Sequence, residues 1–138
     1  MSELPIRMDH GALSVPNLND SIDWYKKMLG FELDRRFRIP GHPVQVAEIK
    51  RGDLRIELFE AENSKPMAAS QREPDSAFLT QGILHLAFAV SDIHALAESL
   101  REKGADIVWV RDFEFGSNAF IRDNAGNLIE FVQDKSMA

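Results

Sequence analysis

The chain has 138 residues, 44% of them hydrophobic and 28% charged, values that fit one soluble globular domain and exclude a disordered chain. Its net charge of −6, with ten arginines and six lysines scattered along the sequence, offers no basic patch for nucleic acid and points to a small-molecule partner. There is no cysteine, which removes disulfides, thiolate metal sites and a cysteine nucleophile. The longest apolar run, Leu86 to Val90, is far too short to span a membrane, and no signal-peptide pattern opens the sequence, so a cytoplasmic protein is expected.

In chain order, Met8-Asp9-His10 leads into a short apolar run, Ala12 to Val15, of strand length. Asn17 to Asp20 supplies side-chain oxygens to cap a helix, whose apolar positions are Leu18, Ile22, Tyr25 and Leu29. Gly30 stands where a left-handed helix cap belongs. Three strands are predicted next, at about 32–37, 44–49 and 54–59, separated by Pro-Gly and Gly-Asp turns. Residues 61–82 are polar and proline-interrupted, as a linker or a substrate-covering segment would be, with a turn of helix near 75–79. A strand at 86–90, a helix with Ile93, Leu96, Ala97 and Leu100 inward, Gly104, and strands near 106–110, 119–122 and 128–132 complete the chain.

The second half therefore repeats the first. His10 and His85 are 75 residues apart, as are Val15 and Val90, and Gly30 and Gly104 are 74 apart. The expected architecture is α+β: two βαβββ modules, at about 6–60 and 83–133, in one domain spanning 1–138. They are expected to form a cup-shaped mixed sheet with the helices on its convex side.

Side chains alternate along strands, so His10 shares a face with Ala12 and Ser14, and His85 with Ala87 and Ala89. The bulky residues face the helices, leaving each histidine on the small-residue face of an open cup. Glu57, between Ile56 and Leu58, and Glu130, between Ile129 and Phe131, point away from the apolar side in the last strand of each module. A carboxylate in an apolar strand needs a partner. His10, Glu57, His85 and Glu130 can supply one another with a four-ligand nitrogen and oxygen site for a divalent metal. His42, in a Pro-Gly turn, and His94, on a polar helix face, are expected in solvent.

The stretch from Met8-Asp9-His10 through Val15-Pro16-Asn17-Leu18 to Trp24-Tyr25, and the closing Arg122-Asp123-Asn124-Ala125-Gly126-Asn127-Leu128-Ile129-Glu130-Phe131, resemble the vicinal oxygen chelate superfamily. That group includes glyoxalase I, methylmalonyl-CoA epimerase, extradiol dioxygenases and bleomycin or fosfomycin resistance proteins. The resemblance covers Met8 to Gln133 and places His10, Glu57, His85 and Glu130 on the family's four metal-ligand positions. It implies a homodimer and a divalent ion (nickel, zinc, cobalt, manganese or iron) that captures two neighbouring substrate oxygens and stabilises an enolate or enediolate. It also implies Glu130 as the base.

The ligand quartet is similar to that of bacterial glyoxalase I, a lactoylglutathione lyase. Where that enzyme usually carries an arginine and an asparagine for glutathione, however, this chain has Ser14 and Ala61. The rival implied activity is an acyl-CoA epimerase of the methylmalonyl-CoA type, in which Glu48 is a second acid or base; otherwise Glu48 is a solvent-facing strand residue. An iron dioxygenase using His10, His85 and Glu130, and a drug-sequestering protein without catalysis, are the further alternatives.

Overall fold

The computed structural model describes residues 3–137 and contains two four-stranded mixed sheets of the same topology. In the first, β1 (Gly11–Ser14), β2 (Glu32–Arg38), β3 (Val44–Arg51) and β4 (Leu54–Ala61) lie in the order β1-β4-β3-β2, with α1 (Leu18–Leu29) between β1 and β2. A 3-10 turn (Ala69–Arg72) and a short helix, α2 (Pro74–Ala77), follow. The second sheet takes β5 (Leu86–Val90), β6 (Asp106–Phe113), β7 (Gly116–Arg122) and β8 (Leu128–Gln133) in the order β5-β8-β7-β6, with α3 (Ile93–Glu102) after β5. The outer strands β1 and β5 run parallel to β4 and β8, and the remaining pairs are antiparallel.

Each helix starts and stops for local reasons. Asn17 accepts a hydrogen bond from the Asp20 amide and Asp92 one from the Ala95 amide, each at 3.0 Å, satisfying amides that a helix start leaves free. Gly30, at φ 73°, closes α1 by donating to the Lys26 carbonyl. A second cap repeats in both modules. Glu60 Oε1 accepts from the Leu18 amide at 2.8 Å, and Gln133 Oε1 from the Ile93 amide at 3.0 Å. Each acceptor lies three residues after its module's strand glutamate, so β4 and β8 are tied to the helix that packs on their inner face.

Leu13, Val15, Leu86, Phe88 and Val90 face the core, while Ala12, Ser14, Ala87 and Ala89 are exposed on the opposite face. The two modules share one core. Phe31 and Phe88 meet across them with ring centres 6.1 Å apart, and Phe88 continues onto Phe131. The rims of β1 and β5 come so close at Gly11 that a Cβ there would stand 2.6 Å from a methyl of Leu86.

The polar tie between modules is buried. Tyr25, fully enclosed, donates its hydroxyl to Asp123 Oδ2 at 2.7 Å. Asp123 also accepts from the Asn127 side chain at 3.0 Å and from the amides of Ala125 and Asn127 at 2.9 Å, which fixes the turn into β8. Arg122 clamps the linker to this region: Nε donates to the Arg72 carbonyl, Nη2 to Glu73, and Nη1 reaches Asp106.

Burial and the Asp123 charge push the Tyr25 phenol well above its ordinary value. The unfolded chain therefore ionises this tyrosine first as pH rises past about 10, so its contribution to stability is held below that pH and lost above it. Tyr25→Phe should destabilise the protein by about 1.5–3 kcal/mol, the cost of one donor to a buried carboxylate. It should also reduce the loss of stability at alkaline pH, as read by denaturant melts across the range.

Candidate metal centre

The strand register builds two equivalent sites. Ala12 lies opposite Glu57 in the β1–β4 pair, and Ala87 opposite Glu130 in the β5–β8 pair. The small alanine leaves room, and the histidine two residues earlier on the same face reaches over it. His10 Nε2 lies 3.3 Å from Glu57 Oε1, and His85 Nε2 lies 3.3 Å from Glu130 Oε1. Both glutamates are mostly buried yet open to the face that carries the histidines.

The first pair has a polar surround. His10 Nδ1 donates to Asp9 Oδ2 at 2.8 Å, which turns Nε2 toward Glu57. That hydrogen bond, with the charges of Glu57, Asp9 and Glu48, raises the His10 pKa above the usual imidazole value. Glu48 is not the solvent-facing strand residue that its type suggests. It lies directly across from Glu57 in the β3–β4 register and is 6% exposed. Two carboxylates side by side repel, and two guanidinium groups offset this: Arg55 Nη1 is 2.8 Å and Arg35 Nη2 3.5 Å from Glu48.

The second pair has an aromatic surround. Phe120, opposite Glu130, presents its face or edge to His85 at 5.0 Å with the rings perpendicular, and Trp109 packs on Phe120 at 5.2 Å. Arg111 lies over the Trp109 ring at 3.6 Å. Asn118 joins this wall to the acid, accepting from Trp109 Nε1 at 3.3 Å and donating Nδ2 to Glu130 Oε2 at 2.9 Å. One carboxylate oxygen of Glu130 is thereby fixed while the other faces His85.

A groove of about 260 Å³ beside His85 is lined by Ala12, Ser14, Met67, Leu84 and Leu128, among others. His42 and His94 are exposed and lie outside these sites, His94 pairing with Asp112 at 3.2 Å.

Donor atoms about 2.0–2.2 Å from one ion stand roughly 3–3.5 Å apart, so the 3.3 Å spacing in each pair suits two ligands of one divalent ion. The imidazole and carboxylate chemistry suits such an ion equally well. The single chain presents these donors as two pairs, and among the described residues no group of three or more histidines and acids is gathered at one point.

Asp9 beside His10 was visible as a neighbour in sequence. The role of Asn118 was not, because it falls just before the apolar run that marks β7.

Residues 7–131 match the Glyoxalase/Bleomycin resistance protein/Dioxygenase superfamily. The chain belongs to this superfamily. It is 28% identical to a lactoylglutathione lyase of Neisseria meningitidis serogroup A, over 95% of this chain and 93% of that one. It is 29% identical to an ethylmalonyl-CoA/methylmalonyl-CoA epimerase of Cereibacter sphaeroides, over 92% of this chain and 97% of that one. Its fold matches the crystal structure of a glyoxalase family protein from Enterococcus faecalis with a TM-score of 0.78 at 23% identity, covering 92% of this chain and 97% of the other. The superfamily's tandem βαβββ arrangement is the fold of this chain.

Because the His10 pKa is raised, protons compete for its imidazole at a higher pH than for an ordinary histidine. Zinc binding through His10, measured by calorimetry, should therefore weaken on acidification starting above the usual imidazole range. Asp9→Asn should shift that weakening to lower pH.

Proposed function

We propose that the protein is a divalent-metal-dependent, glyoxalase-like lyase or isomerase acting on a small carbonyl or thioester substrate. His10, Glu57, His85 and Glu130 are the ligands in this reading, and Glu130 is the base. Nickel, zinc, cobalt, manganese and iron all suit the donor set. When bound, a divalent ion supplies Lewis acidity to two neighbouring substrate oxygens and so acidifies the adjacent C–H.

The observation that carries this reading is the difference between the two glutamates. Glu57 sits in a charged row with Glu48, Arg35 and Arg55. Glu130 lies beside Phe120, with Trp109 on the far side of that ring, and a neutral amide holds one of its oxygens while the other faces His85. An aromatic ring beside the carboxylate keeps water from that side, and a base with one oxygen anchored is aimed rather than mobile. Glu130 would take the proton at one carbon and return it at the neighbouring one. Asn118 would hold the carboxylate in place through both transfers.

A second reading, an acyl-CoA epimerase, draws on the position of Glu48 on the same sheet face as Glu57 and on the epimerase relative. Epimerisation needs a base on each side of one carbon. Glu48 is engaged by two guanidinium groups, which makes it an anchor of the charged row and favours the single-base chemistry.

In this proposal the two pairs meet in a homodimer, His10 and Glu57 of one chain facing His85 and Glu130 of its partner. Support comes from the apolar residues leading into each histidine, which nothing among the described residues covers: Ile6 is 96%, Met8 87% and Ile83 97% exposed. Mixing His10→Ala with His85→Ala chains is expected to restore about one quarter of the wild-type sites, since half the dimers are mixed and each mixed dimer regains one intact site. A site built within one chain would regain none.

The two chemistries separate by mutation. Glu130→Gln should lower turnover by about 10²–10⁴-fold at matched metal occupancy. Glu48→Gln should keep turnover within a few fold while lowering the melting temperature, because two guanidinium groups lose their counter-charge. Turnover abolished in Glu48→Gln with metal still bound would instead establish two-base epimerisation.

A further inference from the structure

A cavity of about 650 Å³ lies not over either His–Glu pair but between the linker and the turn that enters β8. It shares Ser14, Met67 and Asn127 as walls with the groove beside His85, so the two spaces adjoin. Its charges are unbalanced. Asp106 and Asp123 line it, but Asp106 is taken by Arg122, and Asp123 by Tyr25, Asn127 and two amides. Arg122 is itself spent on Asp106, Glu73 and the Arg72 carbonyl. Two cations, Lys65 and Arg72, line the cavity without any salt bridge among the described residues.

Arg72 is the informative one. Its Nε is buried and has no hydrogen-bond partner, a costly state for a guanidinium N–H. Its position is nevertheless built. Arg122 grips its carbonyl at 2.8 Å, and its guanidinium lies over Gly126 so closely that a Cβ there would stand 3.2 Å from Nε and 3.4 Å from Cζ. A protein with net charge −6 has many carboxylates to spare, yet among the described residues none forms a salt bridge with Arg72. A fixed, unpaired guanidinium with a second cation at the rim of a concave site is the arrangement that recognises an oxyanion.

We propose that this cavity binds an oxyanion, a phosphate or carboxylate group, with Arg72 as its principal contact and Lys65 as the second. The adjoining groove makes that group the anionic arm of an extended substrate whose reacting end lies at His85 and Glu130. This last step rests on the proposed function, whereas oxyanion binding itself does not. Ser14, small and exposed, lines both spaces.

The test titrates the full-length protein with inorganic phosphate and, separately, with malonate at low ionic strength, followed by calorimetry and by amide shifts. Saturable binding that shifts the Asn124–Asn127 amides is expected. It should weaken about ten-fold or more in Arg72→Gln, as for loss of one charge-assisted contact, with zinc affinity unchanged. Arg72→Lys should retain part of it, and serves in place of Arg72→Gln if that variant does not fold. Preference for one anion over the other identifies the group as phosphate or carboxylate. No saturable binding of either anion, or equal binding by wild type and the Arg72 variants, overturns the proposal. Retained turnover in Glu130→Gln would overturn the proposed reaction and leave the anion titration standing.

Discussion

The Tyr25 hydroxyl bonded to Asp123 holds the rest of the structure in place. A carboxylate 5% exposed beside a fully enclosed phenol is tolerable only because all its hydrogen bonds are made, and they are made by groups from both halves of the chain. The bond spans 98 residues of sequence. It sets α1 of the first module against the turn that launches β8 of the second, and so sets the strand that carries Glu130 relative to the core. The same turn carries Gly126, over which Arg72 rests, so the strand of Glu130 and the cavity beyond it share one anchor.

Duplication explains the frame, and departures from it explain the chemistry. Both modules place an alanine beside a glutamate, a histidine at the strand mouth, and a capping side chain three residues beyond the acid. Where the first module has Arg35 and Glu48 in the row beside its acid, the second has Trp109 and Phe120. One acid is thus set among charges and the other against rings. Two like His–Glu pairs with unlike walls place the same donors in chemically different surroundings.

Much of this was legible in the sequence. The spacing of His10 to His85 exposed the repeat, the caps Asn17 and Asp92 marked both helices, and strand alternation put the histidines on the open face with Ala12 and Ala87. The helix near residue 75 also formed, beginning at Pro74. Three features were not legible, for a common reason. The burial of Glu48 depends on arginines from two neighbouring strands, the grip of Asn118 on Glu130 depends on cross-strand register, and the unpaired Arg72 depends on how a linker lies on a turn. Residue type and periodicity describe one strand at a time, whereas these depend on which strands become neighbours. The separation of the two His–Glu pairs in a single chain is of the same kind, since local pattern carries no distance between modules.

The helix caps supplied by Glu60 and Gln133 have a consequence for synthesis. Each helix presents its first free amide to an acceptor 42 or 40 residues further along. While the chain emerges from a ribosome, the second cap of α1 waits for the last strand of its own module, and that of α3 for the last strand of the other. The second cap of each helix is not made until the strand bearing that module's glutamate has joined. Ordering of each half therefore coincides with arrival of its strand glutamate, and a chain stalled before β8 leaves α3 with its Asp92 cap alone and without Glu130.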